Sequence, residues 1–197
     1  MDELIKLIVL FFVIFDPLLS GMVFISATKS MEYRNRVKIG IYATLVAMLI
    51  SSIFLLFGNS FLSLFSTNIN DIKIAGGILL AILGLKMSLG YELAGDSKEK
   101  DKDKVNSSHI GIASLIGTPL LTGPAAITTI IISVSDFGIL STGIAVFAVL
   151  LFAGAIFMVL SKFPDKISPV PLQVTSTILG LITLAWGIEF IRTDRLS

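Results

Sequence analysis

Apolar residues run through this chain in long blocks separated by short polar turns, covering residues 4–28, 39–57, 72–89, 110–134, 139–160 and 172–191. About twenty helical residues at a rise of 1.5 Å cover the roughly 30 Å hydrocarbon core of a bilayer. The pattern therefore predicts an all-α polytopic membrane protein with six transmembrane helices. The stretch 59–70 contains Phe61, Leu62, Leu64 and Phe65 but is too short to span, so it predicts a separate amphipathic element at the interface. Between the third and fourth blocks, Gly95 to Lys104 alternates charges without apolar residues. That composition predicts a solvated, mobile linker. The chain accordingly divides into a first three-helix unit (1–94), a charged cytoplasmic linker (95–109) and a second three-helix unit (110–197).

Two blocks are interrupted in the middle, and the interruptions match. Asp16-Pro17-Leu18-Leu19-Ser20-Gly21 returns as Thr118-Pro119-Leu120-Leu121-Thr122-Gly123. Ile78-Leu79 and Ile178-Leu179 hold equivalent places in the third and sixth blocks, and Ala75-Gly76-Gly77 corresponds to Thr175-Ser176-Thr177. Three spans per unit is an odd number, so the second unit enters the membrane with opposite orientation. Two inverted three-helix repeats, with the first and fourth helices broken at mid-membrane, form a signature of secondary transporters.

Proline inside a helix removes a hydrogen bond and clashes with the preceding turn, but at the first helical position it is tolerated. Asp16 before Pro17, and Thr118 before Pro119, read as an N-cap followed by the start of a second half-helix. Gly21 and Gly123 allow close backbone approach beyond each start, and Pro124 adds a second break in the later copy. Two half-helix N-termini facing one another would form an anion site suited to a carboxylate. Ser20, Thr122, Thr128 and Thr129 can add hydroxyl contacts. Asp16 is the acidic residue deepest in an apolar block, where a charge costs roughly 3 kcal/mol on insertion scales. It reads as a structural cap, as part of an ion or proton path, or as the partner of a substrate amine. Ordinary proline kinks are the competing explanation for a single motif, and the matching second copy argues against it.

Composition agrees with the block pattern. Apolar residues make up 54% and charged residues 15% of the chain, against about 25% charged in soluble proteins. The net charge of +1 carries no field for nucleic acid. Lys and Arg are distributed unevenly, with eleven on the side of the 95–109 linker and four on the other. The positive-inside rule then places the linker in the cytoplasm and both termini outside. Asp2 and Glu3, together with the Asp16-Pro17 interruption, argue against a cleaved signal peptide.

The remaining chemistry is sparse. With no cysteine and one histidine, His109 beside the charged linker, no thiolate, zinc or Ser/His/Asp site is expected, and neither are enzymatic activity and a cofactor. Lys86 is placed to snorkel, Trp186 fits an interfacial belt, and Glu189 and Arg192 form a local pair.

The Asp-Pro break, the run Gly123-Pro124-Ala125-Ala126-Ile127, and Ile74-Ala75-Gly76-Gly77-Ile78-Leu79-Leu80 leading to Gly84-Leu85-Lys86 resemble the MarC/SnatA inner-membrane family across essentially the whole chain. The resemblance points to Asp16, Pro17, Gly123, Pro124 and Ala125 as motif positions. It also implies transport of small neutral amino acids of the glycine and alanine type. The first motif departs from the family pattern, in which Asp-Pro is followed by a small residue, Asn and Pro. Here Leu18, Leu19, Ser20, Gly21 and Met22 follow.

The expected function is a multi-pass cell-membrane transporter whose substrate lies among Asp16, Pro17, Ser20, Gly21, Thr118, Thr122, Gly123, Pro124, Ala125 and Thr128. Proton or sodium coupling, direction of flux and oligomeric state stay open. A channel or exporter for another small polar solute, and a non-transporting scaffold or stress-response protein, are the alternatives.

Overall fold

The computed structural model describes residues 2–64, 66–89, 121–163 and 169–193. The linker 95–109 with His109, the first part of the fourth block, and Thr118 and Pro119 lie outside the described residues. Those residues form seven helices and no strand. The helices are α1 (Asp2–Phe15), α2 (Pro17–Thr28), α3 (Tyr33–Leu64), α4 (Ile69–Ser88), α5 (Pro124–Phe137), α6 (Ile139–Lys162) and α7 (Pro169–Thr193).

Four stretches are long and apolar enough to cross a membrane, namely Glu3–Thr28, Tyr33–Gly58, Ile139–Lys162 and Val174–Arg192. They coincide with the first, second, fifth and sixth blocks. The third block forms α4, of similar length but carrying Asp71, Lys73 and Lys86. From the fourth block, α5 is the shorter apolar helix.

The stretch 59–70 is not the separate interfacial element that its composition predicts. Helix α3 runs unbroken to Leu64, and α4 begins at Ile69. The only helix breaker near that junction is Gly58, and it stays helical because it packs against Ile131 of α5. Trp186 is half-buried and packs with Leu83 and Phe12 on the cluster of Val13, Met87 and Leu179.

Helix α6 is the centre of the molecule and contacts α1, α2, α3 and α5. Its buried face, with Val146, Val149, Leu150, Ala153 and Phe157, joins Leu7, Phe11, Phe15, Phe24, Ile39 and Ala43 in the main core. Pairwise contacts fix the helix directions. The Phe12 and Phe152 rings lie 5.8 Å apart, and those of Phe24 and Phe157 lie 4.9 Å apart, which seats both α1 and α2 on α6. Gly40 meets Phe157, Thr44 meets Gly154 and Leu55 meets Gly143, so α3 runs antiparallel to α6. Outward faces remain apolar, as Leu45, Leu49, Ile53 and Leu56 show along α3. Such a face is stable against lipid.

The second close pair is α4 with α7. Gly77 lies against Gly187, and Gly84 against Gly180, which makes the pair antiparallel. Glycine allows two backbones to approach this closely, a favoured mode of association in membranes. Helix α4 also packs on α5, through Gly76 beside Thr128 and a Lys73–Asp136 ion pair of 2.9 Å.

Helices α5 and α6 are joined by the single residue Gly138, whose φ of 80° and ψ of 162° fall in a region essentially reserved for glycine. No atom would crowd an added Cβ there, so substitution isolates the backbone effect. Gly138→Ala is expected to lower stability by about 1–3 kcal/mol, read as a reduced thermal midpoint with unchanged oligomeric size.

Candidate functional site

Backbone bookkeeping explains the first break. In a continuous helix the Leu19 amide would bond the Phe15 carbonyl. Here it donates instead to Asp16 Oδ1 at 3.1 Å, and the Ser20 hydroxyl donates to the Phe15 carbonyl at 3.2 Å. Asp16 adopts the left-handed conformation, with φ of 34° and ψ of 73°. Asp tolerates this region because its short side chain bonds locally. Pro17 then starts α2 at a position where its missing amide hydrogen has no cost. Asp16 is therefore the N-cap that the sequence predicts, and it is 4% exposed.

The second oxygen of Asp16 accepts a hydrogen bond from the Ser176 hydroxyl of α7. Ser176 is itself buried. Sequence reasoning missed this partner. The available signal was the hydroxyl run Thr175-Ser176-Thr177 standing where the other half has Ala75-Gly76-Gly77.

The second break is built differently. Helix α5 starts at Pro124, with Gly123 as its N-cap and no side-chain acceptor from that cap. This start lies five residues beyond Pro119, which is outside the described residues. Gly123 cannot cap the amides of Ala125 and Ala126 as Asp16 caps that of Leu19. Pro124 is exposed and Gly123 half-buried, so this helix start is reachable. The Thr128 hydroxyl donates to the Ala125 and Pro124 carbonyls, and that of Thr129 to the Ala125 carbonyl. Thr122 and Ser20 are buried, each 1% exposed.

Phe12 lies beside Phe152, and Gly21 beside Ile156 and Leu160, which brackets Asp16 near residues 152–156 of α6. Helix α1 packs against α5 as well as α6. Along the α4–α7 pair, Asp16 meets Ser176 near the Gly84–Gly180 contact, whereas Thr128, one turn into α5, meets Gly76 near the Gly77–Gly187 contact.

Electrostatically, the two starts are unlike. Asp16 already occupies an α2 amide, so the α2 terminus is not the open anion site that the sequence suggested. The α5 terminus retains its partial positive charge without a capping side chain. One start thus offers a carboxyl group and the other offers N–H donors. Among the described residues, no group of three or more His, Cys, Asp or Glu side chains could hold a metal ion.

Comparison with known proteins adds the family context. The family model described as MarC family integral membrane protein matches residues 1–194. The chain is 31% identical over 191 residues to the UPF0056 membrane protein YhcE of Escherichia coli K12, covering 92% of this chain and 86% of that protein. A UPF0056 membrane protein of Buchnera aphidicola from Schizaphis graminum is 30% identical over 178 residues, covering 86% and 80%. One from Methanocaldococcus jannaschii is 29% identical over 186 residues, covering 91% and 89%. No solved structure matches the chain.

Proposed function

The chain belongs to the MarC family of integral membrane proteins, and on that premise we propose that it is a secondary transporter of small neutral amino acids such as glycine and alanine. One observation carries the reading: two helix starts of opposite chemistry, α2 capped by the Asp16 carboxyl group and α5 preceded by Gly123. A zwitterion needs donors for its carboxylate and an acceptor for its ammonium. The uncapped α5 terminus at Gly123, Pro124 and Ala125 supplies the donors. Asp16 at the start of α2 supplies the acceptor. Ser20, Gly21, Thr122 and Thr128 line the space between, and small neighbours such as Ala125 favour a short substrate side chain. Thr118 belongs to the same segment as Thr122.

The helix pairings fit two inverted three-helix repeats. Helix α3 pairs antiparallel with α6, and α4 with α7, as each third of one repeat meets its counterpart. Contacts between α4 and α5 are likewise mirrored by those between α7 and α2. In this reading the protein sits in the cell membrane with the 95–109 linker in the cytoplasm and both termini outside. Rocking of the repeats about the two breaks alternates access, driven by a proton or sodium gradient.

Purified protein in liposomes, given labelled amino acids under imposed proton and sodium gradients, tests the function. Saturable, stereoselective accumulation of glycine or alanine is expected. Non-saturable flux would mark a channel, and no flux under either gradient would refute transport. Accessibility tags at both termini and within 96–104 test the topology, which fails if the linker is reached from outside.

A further inference from the structure

Several buried helical hydroxyls in this protein bond within their own helix, while those of Ser51, Ser133 and Thr142 make no hydrogen bond. Thr28 donates to the Phe24 carbonyl, Thr44 to Gly40, Ser161 to Phe157 and Thr183 to Leu179, each one turn back along its own helix. This is the low-cost arrangement for a serine or threonine in an apolar helix. Ser176 departs from it. It reaches from α7 to Asp16 Oδ2, 160 residues away in the chain. Asp16 Oδ1 is already engaged by the Leu19 amide. The Ser176 hydroxyl therefore occupies the oxygen of Asp16 that is free of the cap, in a place sealed from solvent.

At the position equivalent to Ser176, α4 carries Gly76, which lies against Thr128 of α5. The Thr128 hydroxyl is satisfied by the carbonyls of its own helix. The first broken helix is thus held to α7 by a carboxyl–hydroxyl bond at its break, whereas α5 meets α4 through Gly76 and, nearer its other end, the Lys73–Asp136 ion pair. Helix α7 is in turn locked to α4 by the paired glycines 77/187 and 84/180, so a shift of α7 carries α4 with it.

We propose that Ser176 is a substrate-displaced latch: its hydroxyl and the ammonium group of the substrate compete for Asp16 Oδ2. The inference rests on the amino-acid reading above and deepens it. An ammonium can take that oxygen only when α7 withdraws Ser176, so occupancy of the site releases the α4–α7 pair from the first broken helix. Ser176 is a positioning residue here, acting on the substrate through Asp16.

The test compares wild type, Ser176→Ala and Ser176→Thr, each checked by thermal melting. Binding of labelled glycine and alanine is measured on purified protein, and uptake in liposomes. Removing the competing hydroxyl in Ser176→Ala is expected to tighten binding about three- to tenfold, the equivalent of one net hydrogen bond. Maximal uptake should fall, because binding no longer has to release α7. Ser176→Thr, which restores the hydroxyl, should return both quantities toward wild type. Unchanged binding and uptake in a well-folded Ser176→Ala protein overturns the latch. Weaker binding that simply follows a lower melting midpoint also overturns it and leaves a structural strut. A wild-type protein that binds neither amino acid overturns the substrate reading itself, and the latch with it.

Discussion

Gly84→Val is expected to leave little folded protein. A Cβ at this position would lie 2.5 Å from the Gly180 carbonyl oxygen and also strike the Leu184 amide nitrogen. Both obstacles are backbone on the facing helix, so no side-chain rotation can relieve them. Overpacking where side chains can yield costs typically 1–3 kcal/mol. Here α4 and α7 must separate along their length, and the loss should exceed about 3 kcal/mol. Gly180 faces the mirror-image problem, with Met87 Cβ at 2.6 Å and the Ser88 amide at 2.8 Å from its added carbon. Size-exclusion profiles and thermal midpoints in detergent are the measurements. Ile82→Val on the exposed face of α4 serves as control and should behave as wild type. A monodisperse Gly84→Val protein with a wild-type midpoint would show that the seam between α4 and α7 is looser than described.

The second large effect is expected at Asp16, where two substitutions separate two roles. Asp16→Ala removes the cap of α2, a loss of about 0.5–2 kcal/mol. It also leaves the buried Ser176 hydroxyl and the Leu19 amide to find new partners, at about 1–3 kcal/mol for each that fails. The melting midpoint should fall clearly. Asp16→Asn retains an oxygen for the Leu19 amide, and its amide group can donate to the Ser176 oxygen. That variant should fold with a near-wild-type midpoint. If Asp16 balances the substrate ammonium, gradient-driven uptake by Asp16→Asn should drop roughly 10- to 100-fold, the worth of a charge-assisted hydrogen bond. Wild-type uptake by folded Asp16→Asn would reduce Asp16 to a structural cap.

Much of this architecture was legible along the chain. The apolar blocks announced α1–α2, α3, α4, α6 and α7 because a helix in lipid must carry unbroken apolar sequence to satisfy its backbone. Asp16-Pro17 announced its break because capping and the fixed φ of proline are local properties. Membership of the MarC family was carried by short motifs, Asp-Pro and Gly-Pro-Ala-Ala-Ile among them. The junction at 59–70 misled for a local reason. Its polar and apolar residues suit an interfacial element, but α3 continues through Gly58, which lies against Ile131 of α5, to Leu64.

What the chain could not say concerns partners distant in sequence. Gly77 and Gly84, and Gly180 and Gly187, each stand seven residues apart on one helix face. That spacing hints at a seam, yet nothing local indicates that the two pairs meet each other. The Thr175-Ser176-Thr177 run reads as three hydroxyls in a helix, and only the crossing of α7 over the first break delivers one of them to Asp16. The same crossing makes the two breaks chemically unequal. From sequence alone both are half-helix starts with free amides. In the folded chain the first is capped by its own Asp16, while the cap residue of the second, Gly123, has no side chain to offer its amides. Sequence by itself thus determined which segments are helical and where they break, since those depend on neighbours a few residues away. Tertiary structure decided which helices pack together and which distant side chain reaches the first break, because those depend on helix contacts up to 160 residues apart.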